Sequence, residues 1–139
     1  MENTIHVDIV SAEGQIFSGE ATRVFAPGSQ GELGIYPRHA PLLTTLTAGE
    51  VRVETEGQEE QSFFVGGGAM EIQPHLVTVL ADTAVRAKDL DEAAALAAKQ
   101  RAEDAVRNRS DKLDIAEAQV ELVRALAQLR AIARLRKKH

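Results

Sequence analysis

The stretch FVGGGAMEIQPHLVTVLADTA (residues 64–84) decides the fold of the first half of the chain. Apolar and polar residues alternate over residues 70–73, and after a turn at Pro74 and His75 the segment LVTVL (76–80) places valines two residues apart, at positions 77 and 79. Alternation with a period of two, bounded by turn residues, predicts two consecutive β-strands. The valines of the second segment add the β-branched character that strands favour.

Similar strand-and-turn units extend from this stretch toward the N-terminus. Residues 4–10 and 50–55 alternate in the same way, and a Pro27-Gly28-Ser29 turn follows the apolar pair Val24-Phe25. Turn signals at intervals of about 8–12 residues predict an antiparallel sandwich or barrel. Roughly 85 residues are enough for two small facing sheets around one core.

The pattern changes after Ala84, because neither glycine nor proline occurs from Val85 to the C-terminus. We expect Asp89 to cap a first helix, with Glu92 as its capping-box partner. The polar stretch VRNRSDK (106–112) is expected to connect this helix to a second one. The residues predicted to share one face of the first helix are Leu90, Ala94, Ala97, Ala98, Arg101 and Ala105.

A second helix is predicted from about Asp111 to Lys138. Its predicted apolar stripe consists of Ile115, Ala118, Leu122, Ala125 or Leu126, Leu129, Ile132 and Ala133. At 1.5 Å per residue the two helices would be roughly 28 and 40 Å long, and a short connection makes them antiparallel. We therefore expect an α+β protein with an antiparallel β-sandwich over residues 1–85 and a two-helix hairpin over residues 86–139.

The composition of the hairpin leaves two interpretations open. Its first helix is rich in alanine, which forms helices readily. Each buried methyl group contributes only about 0.8 kcal/mol, against about 1.5–3 kcal/mol for a buried leucine or isoleucine. The hairpin is therefore either a thinly packed but permanent appendage or a switch element that opens and extends.

Charge and aromatic residues divide at the same point of the 139-residue chain. Residues 1–85 hold three basic and twelve acidic side chains, whereas residues 86–139 hold thirteen basic and nine acidic ones. All five aromatic residues lie within the first 64 positions. Such a division predicts a well-anchored core in the first half and a tail that meets an acidic surface, although charge that merely keeps each half soluble is the alternative.

Few residue patterns point to chemistry. The chain has no cysteine, and it contains no GxxxxGK[ST], GxSxG or HExxH motif. Its four histidines show no metal-ligand spacing, and the Gly66–Gly68 run is better explained by a bulge or close backbone crossing than by a phosphate cradle. We therefore expect a non-enzymatic protein with no catalytic residue, no metal and no cofactor.

Nucleic acid and direct membrane insertion are also disfavoured. The basic C-terminal end has no aromatic residue beside it to stack a base, and the acidic first half would repel phosphates. The longest purely apolar run, Ala93–Ala98, is far shorter than the roughly 20 residues that span a bilayer. The N-terminal MENTIHVDIVSAEG lacks the basic and apolar regions of a signal peptide, so any membrane connection is expected to come through a partner.

The segment GELGIYPRHAPLL (residues 31–43) stands apart from the regular strands. Pro37 ends the strand-like segment ELGIY, and a second proline, Pro41, lies two residues after His39. Two prolines among apolar residues define a fixed, irregular surface. This surface is either a proline-defined corner of the sandwich or a rigid docking face for a partner.

At this segment the chain resembles the epsilon subunit of bacterial F-type ATP synthases. The family pattern GELGIxPGHAPLL is matched by residues 31–43, and its glycine-rich turn and VTVLAD strand are matched by residues 64–84. LDEAAA (90–95) matches the start of the family's helical part, and AQLRAIARL matches its end. The opening VDIVSAEGQIFSG (7–19) also fits, so the resemblance covers essentially the whole chain.

The resemblance implies a flattened sandwich of about ten strands and a non-catalytic role in the central stalk of a proton-translocating ATP synthase. Such a rotor subunit binds the gamma subunit and the c-subunit ring on the cytoplasmic face of the bacterial inner membrane. Its helices either fold down or extend into the catalytic hexamer, where they inhibit ATP hydrolysis beside the beta and alpha subunits.

The resemblance also implies site residues. Glu32 is expected to contact the c ring. The expected gamma-subunit contact comprises Tyr36, Pro37, Arg38, His39, Ala40, Pro41 and Leu42. The residues expected near acidic loops of the beta subunits are Arg109, Ser110, Arg124, Arg130, Arg134, Arg136, Lys137 and Lys138.

Two departures from the family pattern bear on these expectations. Arg38 stands where the family usually has glycine, so we expect the turn or its contact to differ there. Some members bind ATP in the folded hairpin through an LDxxRA motif and arginines of the second helix. Here Ala94 replaces the motif arginine, and only Asp91 and Arg124 remain as candidates. A charge-assisted contact to phosphate is thereby lost, and we predict weak or absent ATP binding. A nucleotide-sensing module is nevertheless the alternative to the rotor subunit.

Overall fold

The computed structural model describes residues 3–108 and 112–138 and divides the chain after Arg86 into two compact units. The first unit contains ten described strands. They are β1 (Ile5–Ser11), β2 (Gly14–Ala21), β3 (Arg23–Gly28), β4 (Gly31–Ile35), β5 (Leu42–Leu46), β6 (Gly49–Glu54), β7 (Gln61–Val65), β8 (Gly68–Gln73), β9 (Leu76–Ala81) and β10 (Ala84–Arg86).

The ten strands form one folded-over sheet. Their order is β10-β7-β6-β3-β5-β8-β9-β1-β2, and β4 pairs with the other side of β3. The strand pairs are antiparallel with the exception of β1 and β9, which run parallel with His6 opposite Leu76. Most of the unit separates these two strands along the chain, which leaves ample length for the crossover that a parallel pair requires.

The core consists of the inward-facing positions of the alternating strands. Residues that are fully inaccessible to solvent include Ile5, Val7 and Ile9 of β1 and Met70 and Ile72 of β8. They belong to one continuous apolar cluster that spans the whole sheet. The predicted fold class, an N-terminal β-sandwich of about ten strands, is confirmed.

The run of three glycines lets two backbones approach each other closely, as predicted. Gly67 and Gly68 have φ values of +119° and +136°, in the region that favours glycine. A Cβ atom on Gly68 would lie only 2.1 Å from the carbonyl oxygen of Leu80. No residue with a side chain fits where β8 begins against β9.

The second unit is an antiparallel hairpin of two helices, α1 (Glu92–Asn108) and α2 (Lys112–Lys138). Arg136 near the end of α2 forms an ion pair with Glu92 at the start of α1, which defines the opposite directions of the helices. The predicted hairpin is therefore confirmed. No helix within the described residues is long and apolar enough to cross a membrane.

The expected start and end of α1 were wrong by two to three residues. Asp89 closes a short 3₁₀ turn (Ala87–Asp89), and Asp91 is the residue that caps α1, since its Oδ1 accepts a hydrogen bond of 3.2 Å from the N–H of Ala94. Either aspartate is a suitable N-cap residue. Asp89 belongs to the 3₁₀ turn, however, so α1 begins after Asp91. Helix α1 then continues to Asn108, through the first residues of the predicted connection.

The hairpin is thinly packed, as its composition predicted. Among the described residues of this unit, every fully buried side chain is an alanine. In α1 these are Ala95 and Ala102, one position away from the predicted Ala94 and Arg101, which are exposed. In α2 the predicted Ala118 and Ala125 are buried.

Candidate docking surfaces

The corner between β4 and β5 is held in place by backbone hydrogen bonds. The N–H of His39 donates to the carbonyl of Tyr36 at 3.1 Å, which closes a β-turn over residues 36–39. The N–H of Arg38 donates at 2.8 Å to the carbonyl of Pro74 in the turn between β8 and β9. The corner is therefore closed by one backbone hydrogen bond of its own and tied by a second one to the turn between β8 and β9.

Arg38 adopts a conformation that suits glycine. Its φ is +68°, and it is the only described residue other than glycine with a positive φ. Pro37 at the second position and a positive φ at the third are the features of a type II turn. The turn is thus formed with an arginine where glycine would carry no penalty, and the exposed guanidinium stands on the corner itself.

The segment containing residues 36–43 lies between two concave regions of the sandwich. Tyr36, Pro37 and Arg38 line an open cavity of about 710 Å³ together with Arg23 and Glu54. On the other side, Pro41, Leu42 and Leu43 line a smaller one of about 390 Å³. Tyr36 is 51% exposed and Leu43 is 73% exposed. An ordered corner with large exposed apolar side chains is typical of a protein-docking surface.

Arg23 connects the first of these cavities to the corner. Its Nη2 donates to Oε1 of Glu54 at 2.5 Å. Hydrogen bonding raises the pKa of Arg23 above its usual value. Tyr36 has the largest influence, and Glu54 has the next largest. Arg23 therefore lies beside both Glu54 and Tyr36 where the cavity meets the corner.

Glu32 lies on the outer side of β4 and is paired. Nη2 of Arg52 donates to its Oε1 at 2.5 Å, and the guanidinium of Arg52 lies 4.6 Å from the ring centroid of Phe25. The side chain of Glu32 is 61% exposed, whereas that of Arg52 is 24% exposed. The carboxylate thus faces solvent while the cation beside it lies against the sheet.

The basic residues of α2 differ in their surroundings. Arg130, Arg136 and Lys137 are exposed, and Arg136 pairs with Glu92. Arg134 is half-buried and makes an interaction of its own. Arg109, Ser110 and the side chain of Lys138 lie outside the described residues. Arg134, Arg136 and Lys137 therefore lie together in the last two turns of α2, and Arg130 lies one turn earlier.

The two ATP-binding candidates are not brought together. Asp91 caps α1 at the end of the hairpin where Arg136 is found. Arg124 is twelve positions earlier in α2, which corresponds to about 18 Å along the helix axis. Its Nε is buried and has no hydrogen-bond partner within the described part of the chain. The structure therefore shows no joint phosphate site for this pair.

A polar network on the outer side of β1 and β2 was not anticipated. Nδ1 of His6 lies 2.7 Å from Oε2 of Glu20, and its Nε2 lies 3.0 Å from Oδ1 of Asp8. The hydroxyl of Ser18 also donates to Asp8 at 2.7 Å. The bond to Glu20 raises the pKa of His6, and the same bond lowers the pKa of Glu20. The network places the imidazole of His6 between two carboxylates.

Sequence reasoning missed three residues of these surfaces: Leu43, Arg52 and Glu92. Leu43 ends the quoted GELGIYPRHAPLL segment, so the motif itself contained that signal. Arg52 and Glu92 are twenty and forty-four positions from their partners Glu32 and Arg136, and only the strand register and helix pairing bring them close. Within residues 3–108 and 112–138, no group of three or more possible ligand side chains is placed to hold a metal ion.

The fold and its exposed surfaces define a β-sandwich protein with a C-terminal helical hairpin. A family model described as "ATP synthase, Delta/Epsilon chain, beta-sandwich domain" matches residues 4–87, and one described as "ATP synthase, Delta/Epsilon chain, long alpha-helix domain" matches residues 88–136. The chain belongs to the ATP synthase delta/epsilon chain family.

Full-length relatives agree with this assignment. The chain is 62% identical over 138 residues to the ATP synthase epsilon chain of Nitrosococcus oceani, with 99% of each chain covered. It is 59% identical over 137 residues to ATP synthase epsilon chain 1 of Methylococcus capsulatus, with 99% of this chain and 98% of the relative covered. The similarity therefore extends over both units.

Solved structures share the fold at much lower identity. A chain in the cryo-EM structure of the Euglena gracilis mitochondrial ATP synthase (OSCP/F1/c-ring, rotational state 1) aligns with a TM-score of 0.85 at 17% identity, covering 95% of this chain and 83% of that one. A chain in the central stalk/c-ring structure of the Tetrahymena thermophila mitochondrial enzyme aligns with a TM-score of 0.67 at 12% identity, covering 92% and 96%.

Proposed function

We propose that this protein is a non-catalytic rotor subunit in the central stalk of a proton-translocating F-type ATP synthase. It couples the c ring and the gamma subunit to the catalytic hexamer. Its hairpin inhibits ATP hydrolysis, and the protein lies peripherally on the cytoplasmic face of the bacterial inner membrane. The observation that carries the proposal is the presence of both family domains, in order, over residues 4–136.

The sandwich supplies the anchoring surfaces in this proposal. The gamma subunit docks on the ordered corner formed by Tyr36, Pro37, Arg38, His39, Ala40, Pro41 and Leu42, to which Leu43 is added because it is 73% exposed. The polar loops of the c ring meet Glu32, which is exposed on β4. Two separate contacts on one rigid unit suit a part that transmits torque without changing shape.

The hairpin supplies the regulation. Its buried side chains are alanines, so the free energy that holds α1 against α2 is small compared with that of a leucine-packed pair. Its exposed cations Arg130 and Lys137 are available to acidic loops on the beta subunits, and Arg136 would exchange its ion pair with Glu92 for such a loop. An element that is loosely closed and positively charged is suited to exchange its own contacts for those of an acidic partner.

Removal of the hairpin from the assembled complex tests the regulatory part of the proposal. The truncation should follow Arg86, since β10 (Ala84–Arg86) pairs with β7 and belongs to the sandwich. We expect the shortened protein to assemble with the gamma subunit and c ring, and ATP hydrolysis to rise. Normal assembly with unchanged hydrolysis would remove the inhibitory role, whereas failure of the full-length chain to assemble would remove the rotor role.

Nucleotide sensing is a second candidate, favoured by one observation. The buried Nε of Arg124 has no hydrogen-bond partner among the described residues, and a phosphate oxygen would satisfy it. The distance along the hairpin between Arg124 and Asp91 counts against a joint site. Calorimetric titration of the full-length protein with ATP is expected to show no binding in the micromolar range, and micromolar affinity would instead favour the sensor.

A further inference from the structure

Four residues form a continuous row of contacts on the outer side of β4, β3 and β6. In the strand register, Phe25 of β3 is opposite Gly34 on one side and Arg52 on the other. A Cβ atom on Gly34 would lie 3.3 Å from Cε1 of Phe25, so the ring occupies the space that the missing side chain leaves. The guanidinium of Arg52 lies 4.6 Å from the centre of that ring and donates to Glu32.

This row holds the cation more firmly than the anion. Arg52 is 24% exposed and is held by both the aromatic ring and the carboxylate, whereas Glu32 is 61% exposed. Arginine suits this position because its planar guanidinium stacks on a ring and forms directed hydrogen bonds at the same time. The Glu32 carboxylate is therefore held through one oxygen, Oε1, while its side chain as a whole stays largely exposed.

We propose that Arg52 is the positioning residue for Glu32 and that the pair selects a partner loop with neutral hydrogen-bond donors rather than a cationic one. The inference rests on the proposed contact between Glu32 and the c ring. A lysine or arginine approaching Glu32 meets the positive charge of Arg52 a few ångströms away. A backbone N–H or a side-chain amide meets no such repulsion and bonds to Oε2.

The acidic charge of the rest of the sandwich supports this selection. Residues 1–85 hold twelve acidic and three basic side chains, so a lone carboxylate on this surface would attract cations of any partner. Arg52 cancels the charge of Glu32 locally. The complementary partner surface is a polar turn whose N–H groups face Oε2 and whose carbonyl oxygens face the remaining N–H groups of Arg52.

The test measures binding of the full-length protein to a purified complex of gamma subunit and c ring, at several salt concentrations. The variants are Glu32→Gln, Arg52→Met and the double variant. We expect each single change to weaken binding about tenfold and the double change to weaken it no further, because both remove the same fixed carboxylate. Arg52→Lys keeps the charge but loses the planar stacking, and it is expected to recover part of the affinity.

Arg107→Met is the matched control, because Arg107 is an exposed arginine paired with Asp104 in the hairpin, and its loss changes the net charge equally. It is expected to bind like the wild type. Circular dichroism of each variant checks that the sandwich stays folded.

Three outcomes overturn the inference. Additive losses, or no effect of Arg52→Met, would show that Arg52 does not position Glu32. Tighter binding of Arg52→Met at low salt, with a steeper salt dependence, would show that the partner group is cationic. Wild-type affinity of Glu32→Gln would remove the contact itself. The proposed function fails separately, when the unmodified chain does not bind the complex at all.

Discussion

At the scale of single residues, Arg38 combines an unfavourable backbone conformation with a side chain that lies on the proposed docking corner. A left-handed conformation costs a residue other than glycine about 1–2 kcal/mol, because its Cβ approaches a neighbouring carbonyl oxygen. The φ of +68° at Arg38 carries this cost at the corner proposed to contact the gamma subunit. Strain of this kind persists only where the surrounding hydrogen bonds impose the conformation.

The substitution Arg38→Gly is expected to raise the free energy of unfolding by about 1 kcal/mol, because glycine adopts the turn without steric penalty. Urea unfolding of the isolated protein measures the change. Arg38→Ala is the control, since it removes the guanidinium but keeps Cβ, and it is expected to leave stability nearly unchanged. Equal gains from both substitutions would trace the effect to the arginine side chain and not to the backbone.

His6 predicts a pH dependence at the same scale. Its folded pKa lies above the ordinary value of 6.5, so its stabilisation is present below that pH and is lost as the pH rises through the folded pKa. The folded pKa of Glu20 lies below 4.5, so its stabilisation is lost as the pH falls through that lower value. The contribution of the network is therefore greatest between about pH 4.5 and 6.5.

The free energy of unfolding, measured as a function of pH, is expected to show a shallow maximum in this range. The substitution His6→Gln is expected to remove that maximum. The effect should stay below about 1 kcal/mol, because exposed ion pairs are screened by solvent. Asp8 also faces the imidazole, and Asp8→Asn should reduce the maximum by a smaller amount, since Glu20 has the larger influence. An identical pH profile for the wild type and His6→Gln would remove the network as its cause.

At the scale of elements, the strands and helices could be predicted because alternation and composition differ strongly between the two halves. The facing residues of α1 could not, since alanine at positions 93, 94, 95, 97 and 98 gives almost no contrast between its faces. The parallel pairing of β1 with β9 was equally inaccessible, because alternation indicates which side of a strand is buried but not which strand lies beside it.

The start of α1 gives a prediction at this scale. Asp91→Ala removes the hydrogen bond to the N–H of Ala94 and should destabilise the hairpin by about 1 kcal/mol. Asp89→Ala is the matched control, two residues away and outside the helix, and it is expected to have little effect. Thermal unfolding followed by helical circular dichroism compares the two. A larger effect at Asp89 would restore the original assignment of the cap.

At the scale of the whole molecule, the division of charge corresponds to the division into units. The family and its two domains could be predicted because matching motifs are spread over the full length of the chain. One short motif alone would not have identified the family. The local arrangement around Glu32 could not, because Phe25, Arg52 and Gly34 meet only through the register of three strands. The acidic unit carries the ordered corner and Glu32, and the basic unit carries the cations proposed for regulation.

The last turns of α2 test that division directly in the assembled ATP synthase. If Arg134, Arg136, Lys137 and Lys138 pair with acidic loops, replacing all four with alanine removes four such pairs. At about 0.5 kcal/mol each, inhibition of ATP hydrolysis should weaken about 30-fold at low salt, and its salt dependence should become flatter.

The control removes the same number of positive charges from the other part of the unit: Lys88, Lys99, Arg101 and Arg107, each replaced with alanine. General attraction between a basic hairpin and an acidic hexamer depends on net charge, so it predicts equal losses for both quadruple variants. Specific contacts by the end of α2 predict a loss in the first variant alone. Equal losses would therefore leave the hairpin with a steering role, in which its charge speeds the approach and other side chains hold the inhibited state.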